Sequence, residues 1–193
     1  MKPSRALFLD RDGIFNEVVS RNGKLTAPRN WQEVRLHEGL KPEIFAQIKT
    51  LGFFLVLVTN QPDIERGLIS QTFVEDVLSQ YQKTYGLDAL YYCPFANDDH
   101  PMKKPNPGMF LQAAQDLSLT LSECFHLGDT VRDIGAARRC GCQSVLWQRP
   151  YNTHLVADKV VESWQEVVQI LASTRSGGWE KGLEFHTENL STH

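Results

Sequence analysis

Two kinds of hydrophobic run alternate along this chain. Short, strand-like apolar runs occur at Ala6–Asp10, Phe53–Thr59, Ala89–Cys93, Cys124–Leu127 and Ser144–Trp147. Phe53–Thr59 (FFLVLVT) is apolar throughout, as a strand covered on both faces should be. Between these runs the apolar residues take a helical spacing. Leu40, Ile44, Phe45, Ile48 and Leu51 predict a helix over 40–51 that stops at Gly52. Ser70 can cap a helix running to about Tyr85, with Gly86 beyond its end. Asn106-Pro107 predicts another start, with Asn as cap and Pro at the first position. A further helix ends at Gly141, and a last one covers about Ser163–Ala172. Strand alternating with helix predicts a three-layer, Rossmann-like α/β fold on a central parallel sheet.

From Ser173 onward Ser, Gly, Thr and charged residues dominate. The expected division is therefore one domain over 1–172 and a loosely ordered polar tail over 173–193. At 193 residues one domain with one sizeable core is the default. The net charge of −3 argues against a general nucleic-acid surface, which would need a basic footprint. No apolar run is long enough for a transmembrane helix, so no membrane partner is expected. The first strand begins without a signal-peptide pattern, so the cytoplasm is the expected location, as a monomer. The four cysteines, Cys93, Cys124, Cys140 and Cys142, are then expected to be reduced.

The chemistry gathers at the ends of the strands, where open α/β sheets bind ligands. Asp10 and Asp12 follow the first strand, one residue apart, with Gly13 after them. Two such carboxylates repel unless a cation sits between them, and Mg²⁺ suits such oxygens. Thr59-Asn60-Gln61 follows the second strand. Lys103-Lys104-Pro105 lies between the third strand and the Pro107 helix, and Gly128-Asp129-Thr130 follows the fourth, with Asp133 beyond. Each piece also has a plain reading: an Asx-type turn, a loop start, a solvated lysine pair, a helix cap. Their joint occurrence at strand ends favours chemistry.

Phosphate-monoester hydrolysis can require accelerations of up to ~10²¹. It needs a nucleophile, a leaving-group acid, a cation and donors for the phosphoryl oxygens. Asp10 can attack phosphorus, and Asp12 can protonate the leaving oxygen and then activate water. Thr59 and backbone N–H groups can cradle the phosphoryl oxygens, Lys104 can neutralise their charge, and Asp129 can complete an oxygen shell for Mg²⁺. His126, Trp147 and Trp164 read as core residues. Arg66 reads equally as a substrate contact or as a solvated residue.

The order DxDG, hydrophobic strand with Thr-Asn, Lys-Pro and GDxxxD resembles the haloacid dehalogenase superfamily of aspartate-nucleophile phosphatases over about residues 5–150. DRDG, VTNQPDIERG (58–67), YYCP (91–94), KKPNPGM (103–109) and GDTVRDIGAA (128–137) are similar to one branch. That branch holds D-glycero-D-manno-heptose 1,7-bisphosphate 7-phosphatases and histidinol-phosphate phosphatases. The resemblance implies Mg²⁺ held by Asp10, the backbone carbonyl of Asp12, and Asp129, with Asp133 in support. It implies substrate contacts near Val18–Arg21, at Thr59–Pro62 (with Asn60 and Gln61) and at Lys103–Lys104, and no large cap domain. The expected substrate is a small sugar phosphate or bisphosphate.

Two departures stand out. The branch often carries a zinc loop of four Cys and His ligands, but here Cys93 has no Cys-x-Cys pair before Lys103. A closed tetrahedral site needs four ligands, so no structural zinc is expected. The Arg that commonly precedes the catalytic Lys is Lys103 here, so a bidentate fork becomes a point charge. Other readings are a polynucleotide 3′-phosphatase, opposed by the low basic charge, and a phospho-acceptor signalling domain. Such a domain places its Lys last, whereas Asp129 follows Lys104 here.

Overall fold

A computed structural model describes residues 4–174. Eight strands and five helices follow one another as β1 (Ala6–Leu9), β2 (Val19–Arg21), β3 (Lys24–Thr26), α1 (Pro42–Thr50), β4 (Phe54–Asn60), α2 (Gln71–Tyr85), β5 (Ala89–Cys93), α3 (Gly108–Leu117), β6 (Phe125–Gly128), α4 (Val131–Cys140), β7 (Gln143–Trp147), β8 (Lys159–Val161) and α5 (Trp164–Ser173). Six strands form one parallel sheet in the order β5-β4-β1-β6-β7-β8. The chain runs outward from β1 in both directions, so the order reverses there and a crevice opens at the carboxyl ends of β1, β4 and β6.

The pleat sorts the core into two layers. Leu7 and Leu9 of β1 face one cluster with Phe45 of α1, Val77 and Tyr81 of α2, and Trp164 and Leu171 of α5. Ala6 and Phe8 face the other, with Met109 and Phe110 of α3 and Ala136 and Ala137 of α4. This is the three-layer α/β fold expected from the alternation. Trp147 and Trp164 are buried and pack with ring centroids 5.1 Å apart. All four cysteines are buried free thiols.

The boundaries differ from the sequence reading in instructive ways. The helix expected from Leu40 starts at Pro42, whose fixed φ suits a first position. Asn106 does not cap α3, which begins at Gly108 after Pro107. Its amide instead donates to the carbonyls of Asp98 and His100, both at 3.0 Å, and its oxygen accepts from Arg139 at 2.6 Å. The Gly108 N–H bonds Pro101 O, so the helix entrance is stitched to the loop before it. Two further elements were not expected: the edge strand β8 and the antiparallel β2–β3 hairpin. The hairpin turns through Asn22 and Gly23, both at positive φ. Asn-Gly is a strong hairpin signal. Of the tail expected over 173–193, Ser173 is the last residue of α5 and residues 175–193 lie outside the described residues. No helix among the described residues is long and apolar enough to cross a membrane.

Candidate active site

β1 ends by delivering Asp10, whose backbone N–H still bonds Leu127 O of β6 at 2.9 Å. Beside it stands Lys104, fully buried, with Nζ 2.8 Å from Asp10 Oδ1, 2.7 Å from Asp133 Oδ1 and 3.0 Å from the carbonyl of Val58. Asn60, at the end of β4, clamps the Lys104 backbone through paired amide bonds of 2.9 Å. Asp133 accepts from Lys104 and from His126 Nε2 (3.1 Å) on one oxygen, and from Thr130 N and Oγ1 on the other. It thereby joins Thr130 in a capping box that opens α4.

Asp129 is held differently. Its Oδ2 accepts the Tyr151 hydroxyl, while its Oδ1 is buried without a hydrogen-bond partner among the described residues. Asn152 fixes its backbone carbonyl at 2.8 Å. Gly13 has a φ of +85, and a Cβ there would lie 2.2 Å from Asp129 Oδ2. Only glycine lets the turn after Asp12 close onto this carboxylate.

Asp12 turns the other way. Its carboxylate accepts from Arg11 (2.9 Å to Nη2), Asn16 (2.9 Å) and Gln61 (2.9 Å). The same Gln61 amide donates to Thr59 Oγ1 at 3.0 Å, which leaves the hydroxyl proton available to the cleft. Lys103 is buried, with Nζ on Ala96 O and 2.8 Å from Asp98. Arg66 pairs with Asp63 at 3.1 Å. Asp10, Asp12, Thr59, Lys104, Asp129 and Asp133 line one cleft of about 600 Å³, with Gln61, Arg66 and Lys103.

The electrostatics divide the carboxylates. Burial, opposed by Lys104 and reinforced by Asp133 and Asp12, pushes Asp10 up to about 7. Burial, reinforced by Asp133 and Asp10, pushes Asp129 up to about 8. Burial would raise Asp133 too, but Lys104 and His126 outweigh it and hold it below the ordinary carboxylate range. Burial also works against the Lys104 ammonium, and the two aspartates overcome it, so its pKa is raised.

The donor set fits a hard divalent cation. Oxygens of Asp10, Asp129 and Asp133 lie within 4.8 Å of one another. Asp129 carries a buried oxygen without a hydrogen-bond partner among the described residues, and burial with the neighbouring carboxylates disfavours Asp10 and Asp129 as anions. Asp133 is within reach, but both its oxygens already accept hydrogen bonds, so it serves Lys104 instead. A cation beside Asp10 and Asp129 supplies the missing charge.

A family model for haloacid dehalogenase-like hydrolases matches residues 7–141. The chain belongs to that family. It is 30% identical over 165 residues to the D-glycero-beta-D-manno-heptose-1,7-bisphosphate 7-phosphatase of Helicobacter pylori (strain ATCC 700392 / 26695), covering 79% of this chain and 90% of the relative. It is 31% identical over 179 residues to the D-glycero-D-manno-heptose-1,7-bisphosphate 7-phosphatase of Chlorobaculum tepidum, covering 82% and 86%. The structure of the D,D-heptose 1.7-bisphosphate phosphatase from B. bronchiseptica, complexed with magnesium and phosphate, superposes with a TM-score of 0.72 at 25% identity, covering 88% of this chain and 99% of that one.

The fold brings Asp10, Asp12, Thr59, Lys104, Asp129 and Asp133 into one cleft. It turns the side chains of Asn60 and Gln61 toward Lys104 and Asp12 respectively. Sequence reasoning missed Arg11, Asn16 and Tyr151. Arg11 sits between the two aspartates and was legible as a motif residue. Tyr151 arrives on the loop after β7, from 22 residues beyond Asp129, and no local pattern announces it. His126 is the core histidine expected, and it also supports Asp133.

Proposed function

We propose that this chain is a Mg²⁺-dependent phosphatase of D-glycero-D-manno-heptose 1,7-bisphosphate that releases the 7-phosphate. The observation that carries the substrate is the kinship over most of the chain with phosphatases of that name. The cleft agrees in kind. Among the described residues the segments flanking it hold only the small β2–β3 hairpin and loops, with no cap domain, which leaves room for a sugar phosphate.

Asp10 attacks phosphorus, the P–O bond to the sugar breaks, and an aspartyl-phosphate forms on Asp10. Lys104 and the Thr59 hydroxyl hold the phosphoryl oxygens. Asp12, fixed by Arg11, Asn16 and Gln61, gives a proton to the leaving sugar oxygen. It then takes one from the water that attacks the aspartyl-phosphate. Asp10, Asp129 and the backbone of Asp12 are the groups that would hold Mg²⁺, with Asp133 in support through Lys104. The bound ion supplies positive charge for the phosphoryl oxygens. Asn60 and Gln61 act by positioning Lys104 and Asp12.

A turnover screen with Mg²⁺ over heptose 1,7-bisphosphate, heptose 7-phosphate, other sugar phosphates and histidinol phosphate tests the reading. The heptose bisphosphate is expected to have the highest kcat/KM. A clear preference for histidinol phosphate or for a 3′-phosphorylated oligonucleotide would overturn it.

A further inference from the structure

The outer half of the cleft carries charge that the reaction at Asp10 does not use. Lys24, Arg29, Arg66, Lys103 and Arg132 line it, against the carboxylates of Asp63 and Asp98. The two acids divide these cations into two sets. Asp98 takes Lys103 at 2.8 Å and Arg132 at 3.0 Å, and Lys103 also donates to Ala96 O. That set ties down the loop before Lys104. Asp63 takes Arg29 at 2.9 Å through Nε and Arg66 at 3.1 Å through one terminal nitrogen. One carboxylate between two guanidiniums cancels one charge of two. It leaves both terminal nitrogens of Arg29 and one of Arg66 without a protein partner among the described residues. Lys24 of β3 has no ion-pair partner there either, and it lines the same wall.

This second set is built rather than loose. The Arg29 backbone N–H bonds Glu33 at 2.7 Å, and Glu33 also takes Arg21 from the hairpin. Asn30 caps the turn that carries Glu33. On the opposite side Asp63 is largely buried, its backbone carbonyl accepts from Leu68 and Ile69, and Arg66 N bonds Pro62 O. Two cleft-lining guanidiniums held on a shared carboxylate, each with N–H groups to spare, suit the bidentate recognition of a phosphate dianion.

We infer that Arg29 and Arg66, bridged by Asp63 and assisted by Lys24, form the subsite for a second anionic group of the substrate, a phosphate distal to the one cleaved at Asp10. The inference rests on the proposed bisphosphatase reading and assigns the distal phosphate to these residues, with Lys103 left as a tie of the neighbouring loop.

The test compares kcat/KM for heptose 1,7-bisphosphate and heptose 7-phosphate in wild type, in Arg29→Gln, Arg66→Gln and their double variant, and in Arg29→Lys with Arg66→Lys. Charge-assisted hydrogen bonds to phosphate predict that the bisphosphate preference falls about tenfold for each Gln substitution. The fall should appear in KM, with the Lys variants keeping part of the preference and losing it as salt rises. If wild type prefers the bisphosphate and the double Gln variant keeps that preference within about twofold, the subsite assignment is overturned while the bisphosphatase reading stands. If wild type turns over both substrates equally, both fall.

Discussion

The cleft has an inner and an outer end, and the two are made of different material. At the inner end Asp10, Lys104, Asp129 and Asp133 are buried, come from two strand ends, a loop and the first turn of α4, and count more carboxylates than cations. At the outer end Lys24, Arg29 and Arg66 stand on a hairpin and loops, are partly exposed, and count more cations than carboxylates. The inner groups are fixed by the sheet and deprived of water, so each charge is strongly felt and few geometries are tolerated. The outer groups are screened and replaceable. Chemistry is thus assigned to the rigid half and substrate choice to the adaptable half, and single substitutions should separate the two.

The largest effect should come from the innermost group. Asp10→Asn is expected to lower turnover of every substrate by roughly 10³-fold or more, because an amide cannot serve as the nucleophile. Its melting temperature should hold or rise, since the variant removes a buried carboxyl pushed up to about 7. Asp12→Asn should instead accumulate phosphoryl-Asp10 from a good leaving group, seen by intact mass after acid quench. Lys104→Met comes next. It strands Asp10 and Asp133 without their shared cation, and leaving a buried charge unpaired costs about 3–5 kcal/mol. Both rate and melting temperature should drop together. A fully active Asp10→Asn, or a Lys104→Met that melts like wild type, would break the picture of the inner end.

The inner end was readable in the chain and the outer end was not. Asp10 and Asp12, Thr59 and Asp129 follow apolar runs, Lys104 lies between the third run and the next helix, and strand ends are where a parallel sheet gathers its ligands. That logic needs only the order of elements. Arg29 and Asp63 lie 34 positions apart on two loops, and their pairing depends on how those loops fold back over the sheet. No periodicity encodes that. The β2–β3 hairpin did leave a local mark, Asn22-Gly23, but its strands are three residues each, too short for an alternation to show. β8 is equally short. Asn106 misled for a different reason. Asn-Pro is a good helix start, yet the amide found two loop carbonyls and an arginine instead, so tertiary partners overrode the cap.

A middle-sized effect should follow from the burial of Asp10 and Asp129 beside other carboxylates. Both have folded-state pKa values above their ordinary 3.8, near 7 and 8. The folded protein therefore holds more protons than the unfolded chain below those values. Stability without metal must fall as pH rises toward them. His126 and His37, lowered chiefly by burial from 6.5, act in the opposite sense below that pH, so the clean window lies between 6.5 and about 8. In chelator the melting temperature should decline across that window. Mg²⁺ should remove the decline and release protons on binding. Ca²⁺ should stabilise as well but inhibit turnover, because its longer and more numerous bonds misplace Asp10. A metal-free melting temperature that rose from pH 6.5 to 8, or full activity in excess chelator, would remove the cation from the inner end.

The smallest effect is expected where the outer wall is tied together, and it sharpens the contrast most. The loop from Pro94 to Lys103 lies where related enzymes often carry zinc, and here it has Cys93 and His100, with Sγ and Nδ1 4.0 Å apart. One thiol and one imidazole do not close a tetrahedral site. Burial raises the Cys93 thiol, which disfavours the thiolate a zinc ion requires. His100 is otherwise engaged, its Nδ1 accepting from Met102 N at 3.2 Å and its ring stacked on Phe95 at 4.0 Å between centroids. Hydrogen bonds do the rest: Glu65 to Ala96 N, Asn106 to two loop carbonyls, Arg132 and Lys103 to Asp98. A zinc-selective chelator should therefore leave both the melting temperature and the Mg²⁺-supported turnover unchanged, and elemental analysis should find no stoichiometric zinc. One tightly bound zinc per chain would mean that the outer wall depends on a cation. The division between an inner half proposed to hold Mg²⁺ and a hydrogen-bonded outer half would then be lost.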